Sequence, residues 1–145
     1  MFKKILVPVD GSPTSQQAVS RAVALAKAFD AEVFAIYVID PYPFTGVGTD
    51  FAYGQSQYLE AATFEANNAI RGAREAIEAS GVKVDTRVVE ANAPWRGILE
   101  TATELGADLI VMGSHGRRGL EKLVLGSVAQ RVLSHAHLPV MVVRD

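Results

Sequence analysis

The residue types best suited to chemistry sit together late in the chain. Gly113-Ser114-His115-Gly116-Arg117-Arg118-Gly119 follows an apolar run, and Gly126-Ser127 follows the short segment Leu120 to Leu125. Glycines let the backbone approach a ligand closely, and successive N–H groups in such a loop form a concave anion nest. A Gly-Ser pair just before a helix adds free N–H donors and the positive end of the helix dipole. Arg117 and Arg118 add positive charge within the loop. Alone, the first element also reads as an ordinary strand-to-helix loop and the second as a plain helix cap. Together, after an interior strand, they point to phosphate.

Other candidates are weaker. Asp10-Gly11-Ser12-Pro13 closes an early apolar run; its carboxylate suits a sugar hydroxyl, but Asp before Gly is also turn chemistry. His115 lies inside the glycine loop, placed to donate to a phosphate or to stand idle. His135 and His137 fall near the end of the last helix, where basic groups suit the dipole. With no third ligand near them and no cysteine, they do not make a metal site. Trp95, next to Pro94 at a helix start, is expected to pack over a sheet edge.

Positioning these residues requires alternating strands and helices. Ile5–Val9 is a short apolar run. Ala18, Ala22, Leu25, Ala26 and Phe29 then recur at helical spacing, with Ser12 or Thr14 as the cap. Ala31–Ile39 is rich in β-branched and aromatic residues. Asp40–Ser56, with Pro41, Pro43, Gly46, Gly48 and Gly54, reads as a long loop. A helix is expected over Tyr58–Ser80 with Gly81 as its stop, then a strand over Val82–Val89. Pro94 opens a third helix that Gly106 ends. Asp108–Met112 is a strand without alternation, Val128–His137 the last helix and Pro139–Val143 the last strand. This order implies an α/β domain: a single-domain, Rossmann-like, open five-stranded parallel sheet with helices on both faces. In such sheets ligands bind beyond the carboxyl ends of the strands, where the strand order reverses.

Composition narrows the classes. The 145 residues are 49% hydrophobic with a net charge of −2, enough for one core and without a basic field that would favour nucleic acid. Absence of cysteine excludes disulfides, thiolate metal sites and thiol catalysis. The apolar runs are too short for a membrane span, and the N-terminus lacks a secretory pattern. A cytoplasmic protein is expected.

The pattern Gly113-x2-Gly116-x9-Gly126-Ser127 resembles the nucleotide-binding signature of the universal stress proteins. So do the opening Lys4–Ser12, the block Ala107–Gly116 and the closing Pro139–Val143, so the resemblance covers the whole chain. That family contains ATP binders that keep the motif and relatives that lost it, and this chain keeps every fixed position. The resemblance implies roles at matching positions. Pro8, Val9 and Asp10 hold the adenosine end, Val38 lines the adenine pocket, and Met112 touches the nucleoside. Gly113, Ser114, His115, Gly116 and the Arg117 backbone wrap phosphates, and Gly126, Ser127 and Val128 complete the site. Mg²⁺ is expected only through the phosphates. The resemblance also places the last strand at the sheet edge; Val140, Met141, Val142 and Val143 carry no protective charge, so a homodimer through that strand is expected.

Rival readings lack their motifs. There is no Walker loop, no pyrophosphatase loop after the first strand, and no His-x-Gly-His motif. A signalling receiver needs paired acids after the first strand, and a flavodoxin its phosphate loop there. The expectation is an ATP-binding, nucleotide-responsive regulatory or stress-resistance protein with an unidentified regulatory partner. Little or no hydrolysis is expected. The alternatives are a slow ATPase and an interaction module with structural nucleotide.

Overall fold

The computed structural model describes residues 1–41, 49–115 and 125–144. Its elements run β1 (Lys4–Pro8), α1 (Pro13–Phe29), β2 (Glu32–Ile39), α2 (Thr49–Ala79), β3 (Val84–Glu90), α3 (Pro94–Leu105), β4 (Leu109–Gly113), α4 (Ser127–His135) and β5 (Val140–Val143). The strands form one parallel sheet of five in the order β3-β2-β1-β4-β5.

The central strands β1 and β4 are buried on both faces, which explains their near-continuous apolar runs, while the edge strand β3 carries Asp85, Thr86 and Arg87. Successive side chains alternate between two cores. Ile5, Val7, Val33, Ala35, Leu109 and Val111 pack with Ala18, Ala22 and Ala26 of α1 and with Ile70 and Ile77 of α2. Leu6, Ile36, Ile110 and Met112 pack with Ile98 and Ala102 of α3 and with Ala129 and Val132 of α4. The small alanines of α1 let that helix lie close over β1 and β4.

Helix ends follow their chemistry. Gly81 and Gly106 both take positive φ, 81° and 68°, where a side chain would be strained. Of the two hydroxyls able to cap α1, Ser12 does so: its Oγ accepts the Ser15 N–H at 3.2 Å. Thr14 is used elsewhere.

The structure departs from expectation over the long loop. Helix α2 begins at Thr49, so residues 49–56 are helical rather than loop, and the helix is 31 residues long instead of starting at Tyr58. The breakers Pro41, Pro43, Gly46 and Gly48 all precede Thr49. Past that point only Gly54 opposes helix, at about 1 kcal/mol. The remainder of the expected loop, residues 42–48, lies outside the described residues.

The chain builds β1, β2 and β3 outward on one side, then returns to place β4 on the other side of β1. The strand order therefore reverses between β1 and β4, and a crevice opens at their carboxyl ends. Among the described residues no helix is long and apolar enough to cross a membrane.

Candidate functional site

One wall of the crevice is the turn from β1 into α1. The Asp10 carboxylate accepts the Ser12 N–H through Oδ1 at 2.9 Å, and Gly11 between them has φ 83°. Ser15 Oγ donates to the Ser12 carbonyl at 3.0 Å and accepts the Asp10 N–H at 3.4 Å. The turn satisfies itself, and the start of α1 is capped by its own residues. Asp10 Oδ1 holds the turn, and the residue borders the crevice.

The opposite wall is built from the end of β4 and the start of α4. The Ser114 N–H donates to the Val143 carbonyl at 2.8 Å, and the Ser114 carbonyl accepts the Gly126 N–H at 2.7 Å. These bonds bring the two ends of the motif together although residues 116–124 separate them. Gln130 Nε2 donates to the Leu125 carbonyl at 2.8 Å and steadies the approach to α4. Neither helix has an acid in its first turn, but unlike α1, α4 has no side-chain cap at its Gly126 N-cap. Its leading N–H groups and the positive end of its dipole are thus available to an anion.

Two motif glycines are positions of close approach. A Cβ on Gly113 would lie 2.7 Å from Thr14 Oγ1 and 2.9 Å from Thr14 Cβ. A Cβ on Gly126 would lie 3.1 Å from the His115 Cα. Absence of a side chain there allows α1, β4 and α4 to converge.

Between these walls lies a cleft of about 440 Å³, within the roughly 300–1,000 Å³ range of small-molecule sites. Pro8, Val9, Val38, Met112, Pro94, Ile98 and Ala129 supply an apolar slot. Asp10, Ser12, Ser15, His115, Gly126 and Ser127 supply polar groups at its edges. Of the residues named from sequence, Pro8, Val9, Asp10, Val38, Met112, Gly113, His115, Gly126, Ser127 and Val128 all border this cleft. Ser114 does not; it is 1% exposed and held between β5 and Gly126. Gly116, Arg117 and Arg118 lie outside the described residues. Val38 is both core and cleft, packed with the α3–α4 cluster while facing the slot.

Sequence reasoning missed Ser15, Pro94, Ile98 and Ala129 as cleft residues and took Ser12 only as a cap. Their local signals, a hydroxyl near a helix start and apolar helix positions, are those of any capped amphipathic helix. Trp95 also differs from expectation. It stacks on His135 with ring centroids 4.4 Å apart, and the Arg96 guanidinium lies 5.1 Å from its ring, so it joins α3 to α4 rather than covering a sheet edge. His135 Nδ1 is 2.9 Å from the Arg131 carbonyl, and among the described residues no group of three or more acids and histidines could hold a metal.

Three comparisons bear on this arrangement. The model of the universal stress protein family matches residues 1–144. Universal stress protein MJ0531 of Methanocaldococcus jannaschii is 43% identical over 144 residues, spanning 99% of this chain and 83% of that protein. Among solved structures, universal stress protein UspA from Lactobacillus plantarum is 29% identical with a TM-score of 0.88, over 99% of this chain and 98% of that one. A universal stress protein in complex with cAMP is 27% identical with a TM-score of 0.69, over 99% and 97% of the two chains.

Proposed function

The chain belongs to the universal stress protein family, and we propose that its cleft binds an adenine nucleotide, ATP in preference to AMP. One observation carries this reading: a single cleft at the sheet's switch point joins an apolar slot, a carboxylate at one edge and an uncapped helix N-terminus at the other. A nucleotide has the same sequence of parts. The base enters among Pro8, Val9, Val38 and Met112, with Pro94 and Ile98 closing the slot. The second oxygen of Asp10 accepts from ribose hydroxyls. The phosphates run toward His115, Gly126, Ser127 and Val128, where the first N–H groups of α4 meet them. Gly116 and Arg117 belong to this end by the spacing of the motif. The relative in complex with cAMP supports an adenine nucleotide as the ligand class.

Mg²⁺ enters only on the phosphates, since no acidic cage is present among the described residues. Hydrolysis is slow. Among the described residues the one carboxylate lining the cleft is Asp10, at the end of β1, so none of their carboxylates is placed to orient water at a terminal phosphate. Binding instead changes the surface offered to a regulatory partner, and a second copy pairs along β5, the sheet edge where Met141 is 39% exposed.

Calorimetric titration with ATP, AMP and cAMP tests the reading. The expected order has ATP tightest by about tenfold or more, one additional charge-assisted contact being worth about that factor. Equal affinity for AMP would remove the triphosphate assignment. No heat with any of the three would remove the nucleotide assignment altogether.

A further inference from the structure

Thr14 is in the first turn of α1, wholly buried, and is not needed as the helix cap. Its Oγ1 donates to the carbonyl of His115, 101 residues away. Its side chain also fills the space that a Cβ on Gly113 would occupy. One residue therefore bonds the last described residue of the glycine loop and packs against the glycine that begins it. The same Oγ1 lies 3.4 Å from the Oγ of Ser12, the cap of α1, so one buried hydroxyl touches both the cap and the glycine loop.

We propose that Thr14 is a positioning residue that locks the phosphate end of the cleft to the nucleoside end. The nucleoside end is the Asp10–Ser15 turn, which leads directly into Thr14 and is closed by its own hydrogen bonds. The phosphate end starts at His115. The peptide unit is planar and rigid, so holding the His115 carbonyl fixes the direction in which the chain leaves β4. It also sets the His115 Cα, against which Gly126 packs, and through Gly126 the start of α4. Thr14 itself does not line the cleft. It acts through His115 and Gly126, and its removal spreads the phosphate contacts while leaving the base slot of Val38, Pro94 and Ile98 in place. The preference for phosphate-bearing ligands rests on the nucleotide reading of the cleft; the lock itself does not.

Two measurements separate these. The first is amide hydrogen exchange on ligand-free protein. Thr14→Val keeps the shape and removes the hydroxyl, and Thr14→Ser keeps the hydroxyl. Thr14→Ala replaces the valine variant if that one does not fold. Exchange at Ser114 and Gly126 is expected to speed up by about tenfold in the hydroxyl-free variant, the loss of one buried hydrogen bond. Exchange in α3 is expected to stay unchanged, and Thr14→Ser to behave as wild type. Unchanged exchange at Ser114 and Gly126, or equal acceleration in α3, overturns the lock. The second is titration with adenosine and ATP. The hydroxyl-free variant is expected to bind ATP about tenfold more weakly and adenosine within about twofold, with Thr14→Ser restoring ATP affinity. Equal losses for both ligands overturn the proposed role in phosphate selection. If wild type binds neither ligand, the nucleotide reading and the selection role fall together, and the exchange result still decides the lock.

Discussion

Gly113→Ala should destabilise the protein even with no ligand present. The position is at the end of β4, and its φ is outside the positive range, so alanine meets no backbone strain there. The obstacle is steric. The new methyl would lie 2.7 Å from Thr14 Oγ1, 2.9 Å from Thr14 Cβ and 3.0 Å from the Thr14 backbone carbon. Thr14 cannot swing aside, because its hydroxyl is bonded to the His115 carbonyl and its backbone is in α1. Relief requires moving α1 away from β4. Overpacking of this kind costs about 1–3 kcal/mol, and the reduced freedom of the unfolded chain returns about 0.4–1 kcal/mol. The net loss is about 1–2 kcal/mol. At ~2.1 cal/mol/K per residue, a chain this long unfolds with about 0.3 kcal/mol/K, so Tm falls by about 3–7 °C. Gly72→Ala is the counterpart. That glycine is exposed within α2 and a Cβ there meets nothing within 4 Å. Alanine should add about 0.8–1 kcal/mol and raise Tm by about 3 °C. Thermal melts of the two variants and wild type, ligand-free, decide the matter. A Gly113→Ala protein that melts at or above wild type would refute the close-approach argument and leave phosphate contact as the reason for the glycine.

Asp10→Asn retains an oxygen for the Ser12 N–H, so the turn should survive while the charge is lost; ATP affinity should fall about tenfold or more with Tm within a few degrees, measured by calorimetry and melting. Unchanged affinity would take Asp10 out of the site. Sedimentation at micromolar concentration should show a dimer for wild type and a monomer for Met141→Lys, since a lysine on an exposed edge strand opposes pairing. A wild-type monomer would reject the edge-strand dimer. ATP turnover should stay well below the ~1 s⁻¹ of ordinary enzymes; a rate at or above that value, abolished by His115→Ala, would make the protein an ATPase.

Much of this molecule is legible in local sequence. The alternation of short apolar runs with stripes at helical spacing specifies a parallel sheet covered on both faces, because each run must bury two sides. The turn glycines Gly81 and Gly106 mark helix ends that the backbone confirms with positive φ. The motif Gly113–Ser127 and the Asp10 turn point to one end of the sheet before any packing is known, since strand ends and helix starts carry the free backbone groups. The start of α2 was less legible because aromatics and one glycine within it imitate the preceding loop, and a helix tolerates a lone glycine at small cost.

What only the tertiary structure decided concerns partners distant in the chain. Ser12 and Thr14 are both hydroxyls at a helix start, and nothing local says that the first caps α1 while the second reaches across to His115. Glycine spacing announces a motif, but not that Gly113 is small because Thr14 stands against it, or Gly126 because His115 does. Pro94 and Ile98 become cleft residues only because α3 crosses beside the end of β2, where Gly97 leaves room for the Val38 methyls. Trp95 finds His135 for the same reason, through the packing of α3 on α4. Hydrophobic period and turn chemistry act over a few residues and so are written in order along the chain. Steric fit and a buried hydrogen bond act between whatever surfaces the fold brings together, and the sequence distance between those surfaces carries no signal of their meeting.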